Sequence, residues 1–215
     1  MMEAFDMYNS LNMAQGLSPY IHFEKRQPLG TENFYGLLHA IKNRLQIKFS
    51  YERFDEEGIS ERIADPLALK EFKNRWYVLA NDKKDGQVKS FALDRLSKLD
   101  ITNNRFQYPK DFSIDKTYEY CFGIISNDEK LPEEIVISMN PMQARYLKSL
   151  PLHHTQEVIL DSKKETQIKL KLKITYDLIL ELLSYGNNLK VIKPKSLINE
   201  IKSFHEKAFK QYVKQ

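Results

Sequence analysis

Aromatic and cationic side chains are concentrated between residues 51 and 95 of this 215-residue chain. Guanidinium and ammonium groups bind anions through charge-assisted hydrogen bonds, and aromatic rings stack on planar groups. Together they suit a planar, anionic guest such as a nucleotide or a single-stranded nucleic acid. The pattern therefore predicts a ligand-binding site made of Tyr51, Arg53, Arg62, Arg75, Trp76, Tyr77, Lys89, Phe91 and Arg95.

The same side chains also allow a purely structural interpretation. Trp76 and Tyr77 could belong to the apolar core, as aromatic residues of small barrels often do. The arginines could then pair with nearby carboxylates, for which the candidates are Asp65, Asp82 and Asp94. Residue types and spacing leave the two interpretations open.

Alternation along the stretch 87–96 gives one more expectation about the site. In a single strand, Lys89, Phe91, Leu93 and Arg95 would all point to the same side. Two cations would then lie on either side of an apolar pair. We therefore expect Arg95 to lie beside Phe91.

Patterns for catalysis or metal binding are missing from the sequence. It has no nucleophile elbow, no HExxH motif, no phosphate-binding glycine loop and no calcium loop. The neighbouring His153 and His154 would point to opposite sides of a strand or turn, and no third ligand is spaced nearby. Cys121 is the single cysteine and is expected to be a buried apolar residue. We expect no catalytic residues, no metal and no cofactor, and therefore not an enzyme.

Closely spaced strands must position the aromatic and cationic residues. An amphipathic pattern predicts a helix from Thr31, as the N-cap, to Asn43. Five strands follow with short polar connections, which predicts a small, strongly bent β-barrel. Their predicted ranges are 45–54, 59–69, 74–82, 87–96 and 98–102. Residues 103–120 have no clear period and are expected to be a linker with a short helix near its end.

A second unit begins near Glu133. Asn140 and Pro141 predict the start of a helix, and Gly186 predicts the end of another. The predicted order is strand 133–139, helix 140–149, strands 157–162 and 166–175, helix 176–186, strand 189–194 and a final helix to Val213. This is the βαββαβ order of a ferredoxin-like domain, with a closing helix.

The sequence thus predicts an α+β fold in three parts. Residues 1–30 form a short helix (3–14) and an extended arm, residues 31–120 the small barrel with its leading helix, and residues 121–215 the ferredoxin-like domain. The net charge of +4 is low for a dedicated duplex-DNA module. There is no apolar run of the ~20 residues that span a bilayer, and the acidic start is unlike a signal peptide. We expect a soluble, cytoplasmic protein without a membrane partner.

Several of these residues resemble the WYL domain, a bacterial Sm/SH3-like β-barrel named for a Trp-Tyr-Leu tripeptide. The tripeptide stands here as Trp76-Tyr77-Val78. The flanking blocks that match are Phe49-x-Tyr51, Arg62-x-x-x-Pro66-Leu67, Arg75 and Phe91-Ala92-Leu93-Asp94-Arg95-Leu96. Lys89 and Ala92 stand where the family often has arginine, so this pocket is less cationic than many. Leu183-Ser184-Tyr185-Gly186 and the segment 191–197 look like the extension domain that commonly follows a WYL domain.

The resemblance implies a function. It predicts the ligand-sensing and dimerising region of a bacterial transcriptional regulator, with a nucleotide, a cyclic dinucleotide or a single-stranded nucleic acid as the anionic effector. The alternative is a scaffold that only forms a homodimer and binds no small molecule. Family members usually carry a winged helix-turn-helix first, and the residues before Thr31 are too few for its three helices. We therefore expect duplex DNA to be bound only through a helix-turn-helix that this chain lacks.

Overall fold

Two antiparallel sheets with separate apolar cores form the α+β fold that the sequence predicts. The computed structural model describes residues 29–54, 58–126 and 130–213. The helix predicted over 3–14 lies outside the described residues. In the described part, no helix is both long and apolar enough to cross a bilayer.

The first unit consists of one helix and a five-stranded sheet. Its elements are α1 (Phe34–Asn43), β1 (Leu45–Glu52), β2 (Ile59–Phe72), β3 (Arg75–Asp82), β4 (Gln87–Ala92) and β5 (Leu96–Arg105). The strand order is β4-β3-β2-β1-β5, and all neighbours are antiparallel. Leu37 and Ala40 of α1 pack into a core with apolar residues that alternate along the strands.

Two details of the first unit differ from the predictions. Thr31 does not cap α1, because Thr31–Asn33 form a short 3-10 turn that starts after Gly30. The stretch 87–96 is not one strand, since β4 ends at Ala92 and Leu93–Arg95 form a second 3-10 turn. This break has a physical reason. The chain must pass from β4 at one edge of the sheet to β5 at the other edge, which a straight strand cannot do.

The sheet of the first unit has two edges. Strands β4 and β5 each have one strand neighbour, and among the described residues no ladder joins them. The sheet therefore does not close into a barrel by hydrogen bonding. The connection through Leu93–Arg95 is the one place where the two edge strands meet along the chain.

The second unit follows the predicted order of strands and helices. Its elements are β6 (Glu133–Met139), α3 (Pro141–Ser149), β7 (Glu157–Asp161), β8 (Thr166–Leu172), α4 (Tyr176–Ser184), β9 (Leu189–Lys193) and α5 (Lys195–Val213). The predicted short linker helix, α2 (Ile114–Tyr118), precedes them. Asn140 Oδ1 accepts a hydrogen bond from the Gln143 N–H at 2.9 Å, as its predicted N-cap role requires. Gly186 follows α4 with a left-handed φ of 56°, which suits the predicted stop.

The sheet of the second unit has the order β7-β8-β6-β9, and all neighbours are antiparallel. Strand β7 is an edge strand whose side chains are all exposed, including Val158, Ile159 and Leu160. Its register against β8 shifts between Val158 and Leu160, so Ile159 is an extra residue in the ladder.

The two units meet at helix α4. Asp177 Oδ2 accepts hydrogen bonds from the N–H groups of Ile124, at 2.8 Å, and Ile125, at 3.1 Å. Gly123, with φ 94°, lies so close that a Cβ would be 2.4 Å from the same oxygen. One turn further along α4, Glu181 Oε2 lies 2.7 Å from Nζ of Lys73 in the β2–β3 turn. Helix α4 therefore contacts both the linker and the turn between β2 and β3.

We expect Asp177→Ala to destabilise the protein, because two backbone N–H groups lose their acceptor. The expected loss is about 2 kcal/mol in the free energy of unfolding, or roughly 2–4 °C in Tm for each kcal/mol in a chain of this size. Thermal and urea denaturation would measure it. Asp111→Ala, at an exposed loop position, is the control. Equal stability of both variants would contradict the bridging role of Asp177.

Candidate ligand-binding site

The sheet separates the predicted site residues between its two faces. Phe49 is opposite Arg62, and Val78 is opposite Phe91 in the register. Alternation from these pairs puts five of the predicted residues on the face that carries the first core, namely Tyr51, Arg62, Trp76, Lys89 and Phe91. Tyr77 lies on the opposite face, opposite Lys70, whose ammonium group lies over the ring of Tyr118. Trp76 and Tyr77 therefore lie on opposite faces of the sheet and cannot line the same pocket.

Arg62 is bound into a buried ion pair. Its Nη1 lies 3.0 Å from Asp82 Oδ2, and its Nε donates to Ser60 Oγ at 3.1 Å. The Arg62 side chain is 9% exposed and that of Asp82 is 1% exposed. Lys89 Nζ reaches the same Asp82 oxygen at 2.8 Å and also pairs with Asp85. Two cations thus face two carboxylates, so this group of four has no excess charge for a ligand.

Opposing effects act on the pKa of Asp82. Burial raises the pKa of this carboxyl group, but the hydrogen bonds from Lys89 and the Lys84 N–H, with the charges of Lys89 and Arg62, outweigh burial and lower it. The hydrogen bonds and charges of Asp82 and Asp85 likewise outweigh the desolvation that lowers the pKa of Lys89, and raise it. Asp82 is therefore ionised at neutral pH.

The other predicted carboxylate partners differ in what they bind. Asp65 pairs with Lys83 and accepts from Gln46 Nε2 at 3.2 Å, so it is not a partner of an arginine. Asp94 Oδ2 lies 3.6 Å from Arg75 Nη1, with the arginine side chain 55% exposed. Such an exposed pair contributes little to stability. The structural interpretation is thus confirmed for the pairs of Arg62 with Asp82 and Arg75 with Asp94.

Arg95 has a different environment from these paired cations. Its guanidinium carbon lies 5.3 Å from the ring centroid of Tyr51 and 4.9 Å from that of Phe54. Its Nε is buried and has no hydrogen-bond partner among the described residues. Phe54 is 70% exposed, so one of the two rings presents a free face to solvent. We call Tyr51, Phe54, Phe91 and Arg95 the aromatic–arginine cluster.

Tyr51 is the fixed centre of this cluster. Its ring packs edge-on against Phe91 at 5.0 Å and Phe49 at 6.2 Å. Its hydroxyl oxygen accepts a hydrogen bond from the Ala92 N–H at 3.2 Å. Burial raises the pKa of Tyr51 in spite of this hydrogen bond and the charge of Arg95. The hydroxyl therefore stays protonated at neutral pH.

Strand parity was the wrong reason to expect Arg95 near Phe91. The strand ends at Ala92, and the following turn brings Arg95 over Tyr51, which in turn contacts Phe91. Sequence reasoning missed Phe54, which was not among the predicted site residues although it lay in the predicted strand 45–54. Strand β1 ends at Glu52, so the alternation does not extend to Phe54. Its position directly after Arg53, a predicted site residue, was the sequence signal that could have identified Phe54.

The remaining predicted residues have less defined places. Arg53 follows β1 and is partly buried. Trp76 packs edge-on against Phe34 at 4.8 Å and borders the first core, which suits the core role of the structural interpretation. Their ligand contacts stay predictions.

The histidine pair differs from the prediction. The rings of His153 and His154 lie 4.1 Å apart, so they do not point to opposite sides as expected. Burial and the neighbouring His154 lower the pKa of His153 to about 4. Among residues 29–54, 58–126 and 130–213, no three His, Cys, Asp or Glu side chains are grouped to hold a metal ion.

A surface groove of 410 Å³ lies in the second unit, away from the aromatic–arginine cluster. It is lined by Lys130, Leu131, Glu133, Ile174, Ser196 and Glu200. Two of its lining residues are carboxylates and one is a lysine, so its charge does not favour an anion. Side-chain chemistry, not the depth of this groove, identifies the aromatic–arginine cluster as the candidate site.

Comparison with known proteins supports part of the resemblance. Residues 32–101 match the family model of the WYL domain, which confirms the resemblance over that segment, less than half of the chain. No curated protein matches the sequence.

Two solved structures are similar to the chain at low sequence identity. A CRISPR Cas-related protein aligns with a TM-score of 0.51 and 11% identity, over 86% of this chain and 53% of its own. Proteasome accessory factor B/C (PafBC) of Arthrobacter aurescens aligns with a TM-score of 0.39 and 18% identity, over 88% of this chain and 28% of its own. The first similarity shows a common fold only. This chain spans about half the length of one of these proteins and less than a third of the other.

Replacing Asp82 tests the buried ion pair. We expect Asp82→Asn to lower the free energy of unfolding by about 3 kcal/mol, because Arg62 would stay buried without a carboxylate. Asp85→Asn is the matched control, since it removes the exposed carboxylate that Lys89 also contacts, and we expect little change.

The difference in stability between the parent protein and Asp82→Asn should also depend on pH. A carboxyl group with a lowered pKa in the folded protein stabilises it above the unfolded pKa, and the contribution is lost as the pH falls through the folded value. The stability gap between the parent and Asp82→Asn should therefore narrow below about pH 4. Urea denaturation at several pH values would measure it. A gap that stays constant as the pH falls would contradict the charged pair.

Proposed function

We propose that this chain is the effector-sensing region of a WYL-type bacterial transcriptional regulator. In this proposal, the aromatic–arginine cluster binds a nucleotide-like or single-stranded nucleic acid effector. One observation carries the proposal. Arg95 lies against two aromatic rings, its buried Nε has no hydrogen-bond partner in the described part of the chain, and Phe54 offers an exposed ring beside it.

The chemistry of the cluster supports a ligand with a phosphate and a base. A phosphate oxygen would accept hydrogen bonds from the Arg95 guanidinium, and a base would stack on the open face of Phe54. Arg62 and Lys89 already share Asp82, and Arg75 pairs with Asp94. Within the predicted set, Arg95 is therefore the cation best placed to bind an anion, and Arg62 and Lys89 hold the strands behind it.

The proposal also includes the fold of each unit, the cellular location of the protein and the way in which duplex DNA is bound. The first sheet would be a strongly bent, Sm/SH3-like barrel, and the second unit a ferredoxin-like domain. The order β7-β8-β6-β9 supports the latter, because each crossover helix connects two strands with one strand between them. The protein would be a cytoplasmic binding protein, not an enzyme. Duplex DNA would be bound by a helix-turn-helix in a larger regulator.

Two substitutions test the proposed binding site. Arg95→Ala should weaken the binding of a short, fluorescently labelled oligothymidylate by roughly ten- to a hundredfold, since it removes charge-assisted hydrogen bonds. Phe54→Ala should weaken it by a similar factor, because a stacked base contributes ~1–3 kcal/mol. Folding should survive both changes, since no carboxylate among the described residues pairs with Arg95 and Phe54 is exposed.

Fluorescence anisotropy measures this binding, and Lys163→Ala, in an exposed turn, is the control. Binding should weaken as salt increases, because phosphate contacts release counterions. A duplex of the same length should compete poorly, since its bases are not free to stack on Phe54. If the parent protein does not bind, or if Arg95→Ala binds equally well, the scaffold interpretation is favoured instead.

A homodimer is also part of the proposal. The second half of α5 is exposed and carries Phe209, Tyr212 and Val213 on its surface, which another copy could cover. Light scattering should give about twice the monomer mass of 25.4 kDa. Phe209→Lys should shift the protein towards the monomer, whereas a monomer mass for the parent at every concentration would contradict the dimer.

A further inference from the structure

We propose that the turn Leu93–Arg95 transmits effector binding to the chain segment at Gly30. This inference rests on the proposed function, because it takes Arg95 as the group that binds the effector. It concerns the regulation of that site. The contacts of the turn, taken one by one, carry the argument.

The three side chains of the turn have three different environments. Leu93 is fully buried in the first core. Asp94 Oδ2 lies 3.6 Å from Arg75 Nη1 at the start of β3, and Arg95 lies over Tyr51 and Phe54. Because the turn has only three residues, a displacement of the Arg95 backbone also displaces its neighbours.

Gly30 packs directly on the backbone of this turn. It is buried with φ 80°, and a Cβ at this position would lie 2.0 Å from Leu93 O and 2.7 Å from Asp94 N. The contact is therefore between two backbones, with no flexible side chain to absorb a movement. The Gly30 carbonyl also accepts from the Asn33 N–H at 3.2 Å, where the 3-10 turn before α1 begins. A shift of the Leu93–Arg95 turn must therefore displace the segment that leads into α1.

The hydrogen bonding of the turn is incomplete in this structure. Among the described residues, three buried side-chain polar atoms have no hydrogen-bond partner, and two of them are Asp94 Oδ1 and Arg95 Nε. A buried polar atom without a partner is costly, so such atoms need an explanation. An anionic oxygen that accepts from Arg95 Nε would remove this cost. An effector can therefore favour a shifted turn, because it gains an interaction there.

Hydrogen exchange measured by mass spectrometry tests the coupling in the full chain. The probe is the same oligothymidylate, and the reporter is the peptide from 29 to 38, which contains the Asn33 N–H bonded to Gly30. We expect oligonucleotide binding to change the exchange of this peptide. A peptide from β7, in the second unit, is the internal control and should not change.

A substitution at Gly30 tests the reverse direction, since coupling between two sites is reciprocal. Gly30→Ala forces the turn to move and should change oligonucleotide affinity by fivefold or more. Gly186→Ala is the matched control, because Gly186 also has a left-handed φ but has nothing within 4 Å of a new Cβ. It should leave the affinity unchanged.

The outcomes distinguish the two proposals. If the oligonucleotide binds and Arg95→Ala weakens it, but exchange in the peptide from 29 to 38 stays the same, the coupling is wrong and the proposed function stands. If there is no binding, or if Arg95→Ala has no effect, the proposed function and the coupling both fail. If Gly30→Ala does not fold, the exchange measurement on the parent protein alone decides the coupling.

Discussion

The carboxylate of Asp82 determines how charge is arranged on the core face of the first sheet. It lies on β3 and binds Arg62 from β2 and Lys89 from β4, so one side chain joins three adjacent strands. Without it, two cations would stand on a face that is otherwise apolar. Because Asp82 neutralises them, Arg62 and Lys89 serve the structure of the sheet. The buried carboxylate of Asp82 thus separates these structural cations from the candidate ligand site.

Arg95 differs from the two cations that Asp82 binds. It comes from the turn between two edge strands, where no neighbouring strand fixes its side chain. Its neighbours are the rings of Tyr51 and Phe54, and its Nε has no hydrogen-bond partner in the part of the chain that the structure describes. Strands whose cations are paired are thus followed by a short turn that carries Arg95, whose Nε has no hydrogen-bond partner among the described residues. This combination gives the proposed sensor both a stable base and an element that can respond.

Local signals were sufficient for most elements of the fold. The asparagine and proline at 140–141 and the glycine at 186 act within a few residues of their own position, so the sequence alone predicts these helix ends. Alternation of apolar and polar residues likewise predicts β8, in which buried positions alternate with more exposed ones along the whole strand. The family resemblance named the right segment of chain, since several spaced blocks match together.

The details of the site depended on contacts between distant residues, which local patterns do not contain. Arg62 and Asp82 are twenty positions apart, and only the β2–β3 register identifies Asp82, and not Asp65, as the partner. The end of β4 at Ala92 follows from the path between the two edges of the sheet. The place of Phe54 in the site also depends on a distant contact, because Arg95, which lies over its ring, is forty-one positions away in the sequence.

The extra residue in strand β7 has a consequence for the solubility of the folded protein. Three consecutive aliphatic side chains on an exposed edge strand are a place where a strand of another chain could add. The bulge at Ile159 interrupts the regular spacing of N–H and C=O groups that a stacking strand would need. Charged side chains, Glu157 and Asp161, stand at the two ends of the strand, where they pair with Lys169 and Lys148; charges on an edge strand disfavour the addition of another strand. The edge therefore combines an apolar surface with a bulge and terminal charges, two features that disfavour pairing with another strand.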